Sequence, residues 1–405
     1  MTAPVMTAPA TRVRATLVLL AGAAVLAGCA PAASHAAASH PAARKALTAP
    51  LVTSMTAANG ATWAVVAMGG SAADEDQFWE LFTRPPGSTS WKLVTPPGVA
   101  DNGGLVAAGS SGPLTVAFQP SQDLTFSPLA SSGNGGKTWG VGLLDAAVAS
   151  VPDALATNTA GSSGMLALLD NGAIDQAAGQ PAASGSAASQ SSGNQDGWTA
   201  LAAPGAIAAS AAGRRCQVTG WTGVAYTPSG TPLAAASCAR PGTVGIFADV
   251  AGSWQASGPA DPGGQPLRVI RLSQTPAGDT ALLQAEGRGE ASLLGGWTSD
   301  GTRWTASPSL PLHGGHVQAS GTGPGGMLWV LLSGDRAETL DGPGASWRDL
   351  PAPPRGTAAL AAGPDGTDEA LAVSGARLTV YQLTAAGTWD KAQVISVPIQ
   401  FGSSS

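Results

Sequence analysis

Carboxylates are the residues of this chain best suited to catalysis, and they gather in one run. ADEDQFWE, residues 73–80, carries Asp74, Glu75, Asp76 and Glu80. Two carboxylates at a fixed separation can cleave a glycosidic bond, one as acid and the other as base or nucleophile. The same run also suits a solvated loop or a cation contact, and its spacing selects no reaction. HGGH sets His313 and His316 on one tight turn. Two imidazoles can begin a metal site, but a zinc site takes three or four ligands and none follows nearby. His35 and His40 fall in an Ala/Pro-rich stretch, and neither G-x-S-x-G nor H-E-x-x-H occurs. GTGPGG matches G-x-G-x-x-G at Gly321, Gly323 and Gly326. A dinucleotide site needs a helix after that turn, whereas MLWVLL reads as a strand. The reading is therefore no catalytic residue, no metal and no cofactor.

The elements that would position these residues repeat along the chain. A small turn followed by Trp occurs at Trp91, Trp139, Trp198, Trp254, Trp304, Trp347 and Trp389, in steps of 42 to 59 residues. A Gly turn leading into an apolar strand precedes each, at Gly60, Gly112, Gly164, Gly230, Gly278, Gly325 and Gly366. Two landmarks that alternate in strict order mark a structural repeat. The last repeat shows the unit: AALAAG, EALAVSG, RLTVYQLT and KAQVISVP, separated by turns. In RLTVYQL apolar and polar residues alternate, as in a half-buried strand. Four short antiparallel strands in about 50 residues, repeated radially, describe a propeller blade. The prediction is all-β: a seven-bladed β-propeller over residues 51–405, with eight or six blades as neighbouring counts. Residues 173–197 are a polar, small-residue insertion in the third repeat, expected to be a disordered surface loop.

Composition fits this picture. Charged residues make up 11% of the 405, and Gly 55 and Pro 31 supply many turns. Net charge is −6, and Arg214-Arg215 is an isolated basic pair, so no basic surface for nucleic acid is encoded.

The N-terminus has a basic n-region, Arg12 and Arg14, then the apolar run Ala15–Val25, too short to span a bilayer as a stable helix. It ends in LAGC, Leu26 to Cys29, which resembles the lipobox of bacterial lipoproteins. The resemblance implies cleavage after residue 28, a lipid on Cys29, and attachment to the extracytoplasmic face of the cell membrane. Several acyl chains give lasting attachment, since each buried CH₂ contributes roughly 0.8 kcal/mol. Cleavage takes the net charge from −6 to −8, because the segment removed carries only Arg12 and Arg14. Residues 29–50 read as a flexible tether. In that oxidising compartment Cys216 and Cys238, flanking the turn TPSGTP, either form a disulfide across a hairpin or stay as two buried thiols.

SSGNGGKTW, residues 131–139, carries Ser132, Asn134, Gly136, Thr138 and Trp139. It resembles the Asp-box (BNR) hairpin of the sialidase-type β-propellers, with Asn134 where that family usually has Asp. TSDGTRW (298–304) is one residue short of the same pattern. The resemblance implies that the hairpin joins the third and fourth strands of a blade, that Asn134 caps its own turn, and that the Trp packs between blades. Sialidases also use a Tyr nucleophile, an arginine triad and an Arg-Ile-Pro motif. This chain has only Tyr226 and Tyr381 and no Arg-Ile-Pro. Two readings stay open: a non-enzymatic surface module binding a protein, glycan or small ligand, and a sialidase-like glycoside hydrolase. An assembly chaperone resembling the propeller photosystem assembly factors differs from the first only in its partner.

Overall fold

The computed structural model describes residues 52–58, 60–69, 78–95, 104–108, 114–118, 128–132, 134–143, 152–158, 164–169, 171–177, 198–259, 264–275, 277–285, 290–363 and 365–397. The expected signal segment and tether, including Cys29, His35 and His40, lie outside them, as do Asp74, Glu75 and Asp76.

Strands fill most of the described chain, arranged as successive four-stranded antiparallel meanders. The first comprises β1 (Val52–Ala58), β2 (Ala61–Met68), β3 (Phe78–Arg84) and β4 (Lys92–Leu93). The second is β5 (Gly104–Ala108), β6 (Leu114–Phe118), β7 (Pro128–Ser132) and β8 (Gly140–Leu143). The third is β9 (Ala154–Thr157), β10 (Met165–Leu168), β11 (Ile174–Ala177) and β12 (Trp198–Ala202). Two short helices follow, α1 (Ala206–Ala209) and α2 (Ala211–Cys216). The fourth meander is β13 (Val218–Tyr226), β14 (Pro232–Cys238), β15 (Ile246–Val250) and β16 (Ser253–Ser257). The fifth is β17 (Leu267–Thr275), β18 (Gly278–Ala285), β19 (Ser292–Thr298) and β20 (Thr305–Ala306), with β21 (Leu310–Pro311) also on β19. A single pair, Ser237 with Arg268, joins the fourth and fifth into one nine-stranded sheet. The sixth is β22 (Val317–Thr322), β23 (Leu328–Leu332), β24 (Arg336–Leu340) and β25 (Arg348–Leu350). The last is β26 (Thr357–Ala362), β27 (Asp368–Ser374), β28 (Arg377–Leu383) and β29 (Trp389–Ser396).

The sequence landmarks explain this order. Each described Gly landmark lies at, or up to three residues before, the start of a second strand, and each landmark Trp lies at or beside the start of a fourth. Second strands are the most apolar: β2, β10 and β23 are buried along their whole length. Fourth strands are the most exposed, β16 and β29 most of all. First strands approach one another from meander to meander, and β22 touches both β26 and β1. The largest core cluster accordingly joins residues of the first, sixth and last meanders, among them Phe82, Trp91, Trp329 and Leu371.

Two segments depart from the sequence reading. Residues 206–216 are helical where only strands were expected. Ser210 caps α2 by accepting the Gly213 N–H at 3.0 Å, and Ile207 is fully buried. Cys216 therefore ends a helix instead of facing Cys238 across a hairpin. Residues 174–177, expected at the start of the disordered insertion, form β11, because Ile174 and Ala177 bury against β10; residues 178–197 lie outside the described set.

Candidate functional site

A cleft of about 180 Å³ opens at the end of the fifth and sixth meanders, lined by Asp279, Thr280, Trp297, Thr298, Arg303 and Gly326 among others. Glycines let its walls close. Gly278 has φ +131°, and a Cβ there would come within 2.2 Å of the Thr298 carbonyl oxygen. Gly326 has φ +84°, and its carbonyl accepts the Trp297 indole N–H at 2.8 Å. That bond fixes the β22–β23 turn onto the fifth meander. The GTGPGG motif thus has a packing role. Pro324–Gly326 forms one turn of 3-10 helix between two antiparallel strands. Gly321 lacks the side chain that would collide with the Trp329 ring at 2.2 Å.

Asp279 is the unusual acid of this region. Its exposure is 1%, and neither carboxyl oxygen meets a protein hydrogen-bond partner. Burial pushes its pKa up to about 8, because the charged form loses hydration without compensation. In the strand register Thr280 faces Trp297 and the cleft, while Asp279 pairs with Thr298 on the opposite face. Asp279 borders the cleft from the strand face opposite that of Thr280.

Other buried acids are neutralised. Glu369 pairs with Arg84, and Asp368 accepts from Arg348 at 3.1 Å. Glu338 accepts from Arg336 at 2.8 Å. Arg271 on β17 differs. Its Nε–H donates to Ser320 Oγ on β22 at 3.4 Å, and desolvation lowers its pKa to about 10. Neither Asp279 nor Arg271 stood out in the sequence. The signal for Asp279 was a lone acid in GDTALL, one residue into a buried strand.

The residues marked in the sequence are placed as follows. Asn134 lies between β7 and β8, a third and a fourth strand. Its Oδ1 accepts the Lys137 and Thr138 N–H groups at 3.1 and 2.9 Å, and Ser132 Oγ accepts the Gly136 N–H at 2.8 Å. Asp300, between β19 and β20, repeats this geometry: its Oδ1 accepts the Thr302 and Arg303 N–H groups, both at 2.8 Å. These bonds hold the Asp300 carboxyl well below the usual range.

Four of the landmark Trp residues reach the preceding meander. Trp139 packs with Trp63 and Val94. The Trp304 N–H donates to Ser257 Oγ at 2.9 Å, Trp347 to the Pro308 carbonyl at 3.1 Å, and Trp389 to the Pro351 carbonyl at 3.1 Å. Trp91 docks on the last meander, its N–H donating to Glu369 Oε2 at 3.1 Å. Trp254 packs on the cluster that joins the third and fourth meanders, and Trp198 packs within its own.

Cys216 and Cys238 form a disulfide with Cα atoms 4.8 Å apart. Tyr226 is buried, accepts from Gln176 at 3.3 Å, and has its pKa pushed up to about 12 by burial. Tyr381 is half-buried in β28 against the largest core cluster. His313 meets Glu290 at 2.8 Å on the exposed surface, and the His316 backbone N–H donates to Ser333. Glu80 accepts from Thr95. Among the described residues no group of three or more His, Cys, Asp and Glu is placed to hold a metal.

No protein-family model and no curated protein matches the chain. Solved structures do. The chain is similar to the Cps50 (Swd1) β-propeller domain from Myceliophteria thermophila, with TM-score 0.53 and 11% identity, covering 83% of this chain and 97% of that one. It is also similar to the GH74 xyloglucanase from Xanthomonas campestris, with TM-score 0.50 and 15% identity, covering 85% of this chain but 54% of the enzyme. YCF48 bound to D1 peptide matches with TM-score 0.46 and 12% identity, covering 80% of this chain and 89% of that one. At these identities the likeness concerns the fold: the chain is an all-β protein with a β-propeller fold.

Proposed function

We propose that the protein is an exported lipoprotein whose seven-bladed β-propeller serves as a non-enzymatic binding or scaffold module at the membrane surface. Each meander is one blade in this reading. Cys29 carries the lipid, and residues 29–50 tether the propeller. The Asn134 and Asp300 turns act as Asp-box-like blade hairpins.

One observation supports the non-enzymatic reading: among the described residues, several side chains suited to chemistry are engaged in the scaffold. Arg84 and Glu369 neutralise each other in the core, Arg348 holds Asp368, and Tyr226 is buried with its hydroxyl on Gln176. A Tyr with its pKa raised to about 12 is a poor nucleophile at neutral pH. The test is to incubate the purified full chain with fluorogenic sialosides and aryl glycosides. No turnover above the blank is expected, and turnover abolished by a carboxylate substitution would replace this reading with the hydrolase. Anchoring is tested separately. Cys29→Ala should release the protein to the medium, and retention on the membrane would refute the lipid assignment.

A further inference from the structure

We infer that the inner strands of the propeller hold a carboxylate-binding site at Arg271, so that the ligand of this surface module bears a carboxylate group. The inference rests on the propeller reading, because it needs the first strand of each meander to line the centre.

Charge distribution on those strands is the starting point. β1 (VTSMTAA), β5 (GLVAA), β9 (ALAT), β13 (VTGWTGVAY), β22 (VQASGT) and β26 (TAALAA) carry no charged residue. β17 (LRVIRLSQT) carries two, Arg268 and Arg271. Arg268 has a partner of its own. Arg271 lacks the acid partner that four other described arginines have. Arg84, Arg303, Arg336 and Arg348 each have an acid within ion-pair distance. Among the described residues no carboxylate pairs with Arg271.

Strand geometry fixes where this cation points. The β17–β18 register shifts between Val269 and Arg271, so that Arg271 lies opposite Leu282. Leu282 belongs to the core cluster shared with the sixth meander. The guanidinium therefore emerges between β17 and β22, where Ser320, itself 3% exposed, accepts from Nε at 3.4 Å. That distance is at the long end of hydrogen bonding. A guanidinium carries five N–H donors in a planar fork, and Ser320 engages one. The two terminal nitrogens remain for a ligand.

One guanidinium neutralises one negative charge. A carboxylate matches its fork in both charge and plane, accepting two parallel N–H bonds. A phosphate dianion would leave a negative charge uncompensated between low-dielectric strands.

The test is a calorimetric titration of the detergent-solubilised full chain with sodium acetate, at ionic strength held constant with chloride. Arg271→Gln and Arg271→Lys are titrated alongside. Wild type should bind acetate, with Arg271→Gln weaker by about tenfold to a hundredfold, the loss of a charge-assisted pair. Arg271→Lys should fall between, since it keeps the charge and loses the fork. Absence of acetate binding to wild type, or equal binding by Arg271→Gln, overturns the site. Inorganic phosphate binding more tightly than acetate overturns the carboxylate assignment. Should the variants not fold, wild type is treated with phenylglyoxal and the Arg271 peptide is weighed. Acetate should slow its modification relative to chloride, and equal rates count against the site. A negative result here leaves the surface-module reading standing, whereas glycoside turnover overturns that reading without affecting the titration.

Discussion

Arg84, at the end of β3, forms a buried ion pair with Glu369, at the start of β27, 285 residues further along the chain. Exposures are 3% and 0%. The pair is embedded in further bonds. The Trp91 indole N–H donates to the same Glu369 oxygen, and the Arg84 guanidinium stands 5.4 Å from the Trp91 ring centre. Gln393 of β29 brackets the Trp91 backbone, accepting its N–H and donating to its carbonyl, both at 2.8 Å. The first meander is thereby fixed to the last.

Removing one member of this pair leaves a buried charge without compensation. Glu369→Ala should lower stability by about 3–5 kcal/mol in urea unfolding. Arg84→Met combined with Glu369→Leu should recover most of the loss, because two apolar side chains leave no charge behind. Equal losses in the single and double variants would show that packing, not charge, dominates the seam.

Asp279 gives stability a pH dependence of definite sign. Its folded pKa, about 8, lies above the model-peptide value of 3.8. Between these values the folded state holds a proton that the unfolded state has released, so stability falls as pH rises through this window. Asp279→Asn should remove that slope and stabilise the protein at pH 8 relative to pH 4, by an amount on the order of a few kcal/mol. Thermal unfolding of both proteins across this range is the measurement.

Asp300 acts with the opposite sign. Its carboxyl is held below the usual range by the backbone N–H groups of Arg303 and Thr302. Its contribution is therefore present above the unfolded pKa and is lost as pH falls toward the folded one. Asp300→Asn should flatten the acid limb of the stability profile. Asn134, which is uncharged and makes the same turn, should give no such limb. Asn134→Ala should cost about 1 kcal/mol at every pH.

The disulfide closes a loop with sequence separation 22. Its reduction should destabilise the folded chain by about 3 kcal/mol, chiefly by freeing the unfolded state. It should also loosen α2, whose last residue it ties to β14. Peptide mass analysis with and without reductant tests the link, and chemical denaturation of both forms tests its size.

How much of this was legible beforehand follows from the range of each interaction. Local rules fixed what the sequence by itself determined. Gly turns into second strands, Trp at the start of fourth strands, and the alternation in RLTVYQL each depend on residues within one repeat. So does Asn134, whose side chain satisfies N–H groups three and four residues on. The third strand at Ile174–Ala177 was hidden because its partners, β10 and β12, flank a polar segment of misleading composition.

Tertiary structure decided the rest. Glu369 and Asp279 occupy similar places near the start of a second strand, yet one is neutralised and the other is not. The difference lies in Arg84, which ring closure brings from the far end of the chain. Arg271 is one of many surface-like arginines in sequence terms. A one-residue register shift in β17 turns it toward β22, where the neighbouring strands offer a hydroxyl and no carboxylate. Local periodicity specifies strands; which charges meet, and which stay unpaired, is set only when separate meanders pack against one another.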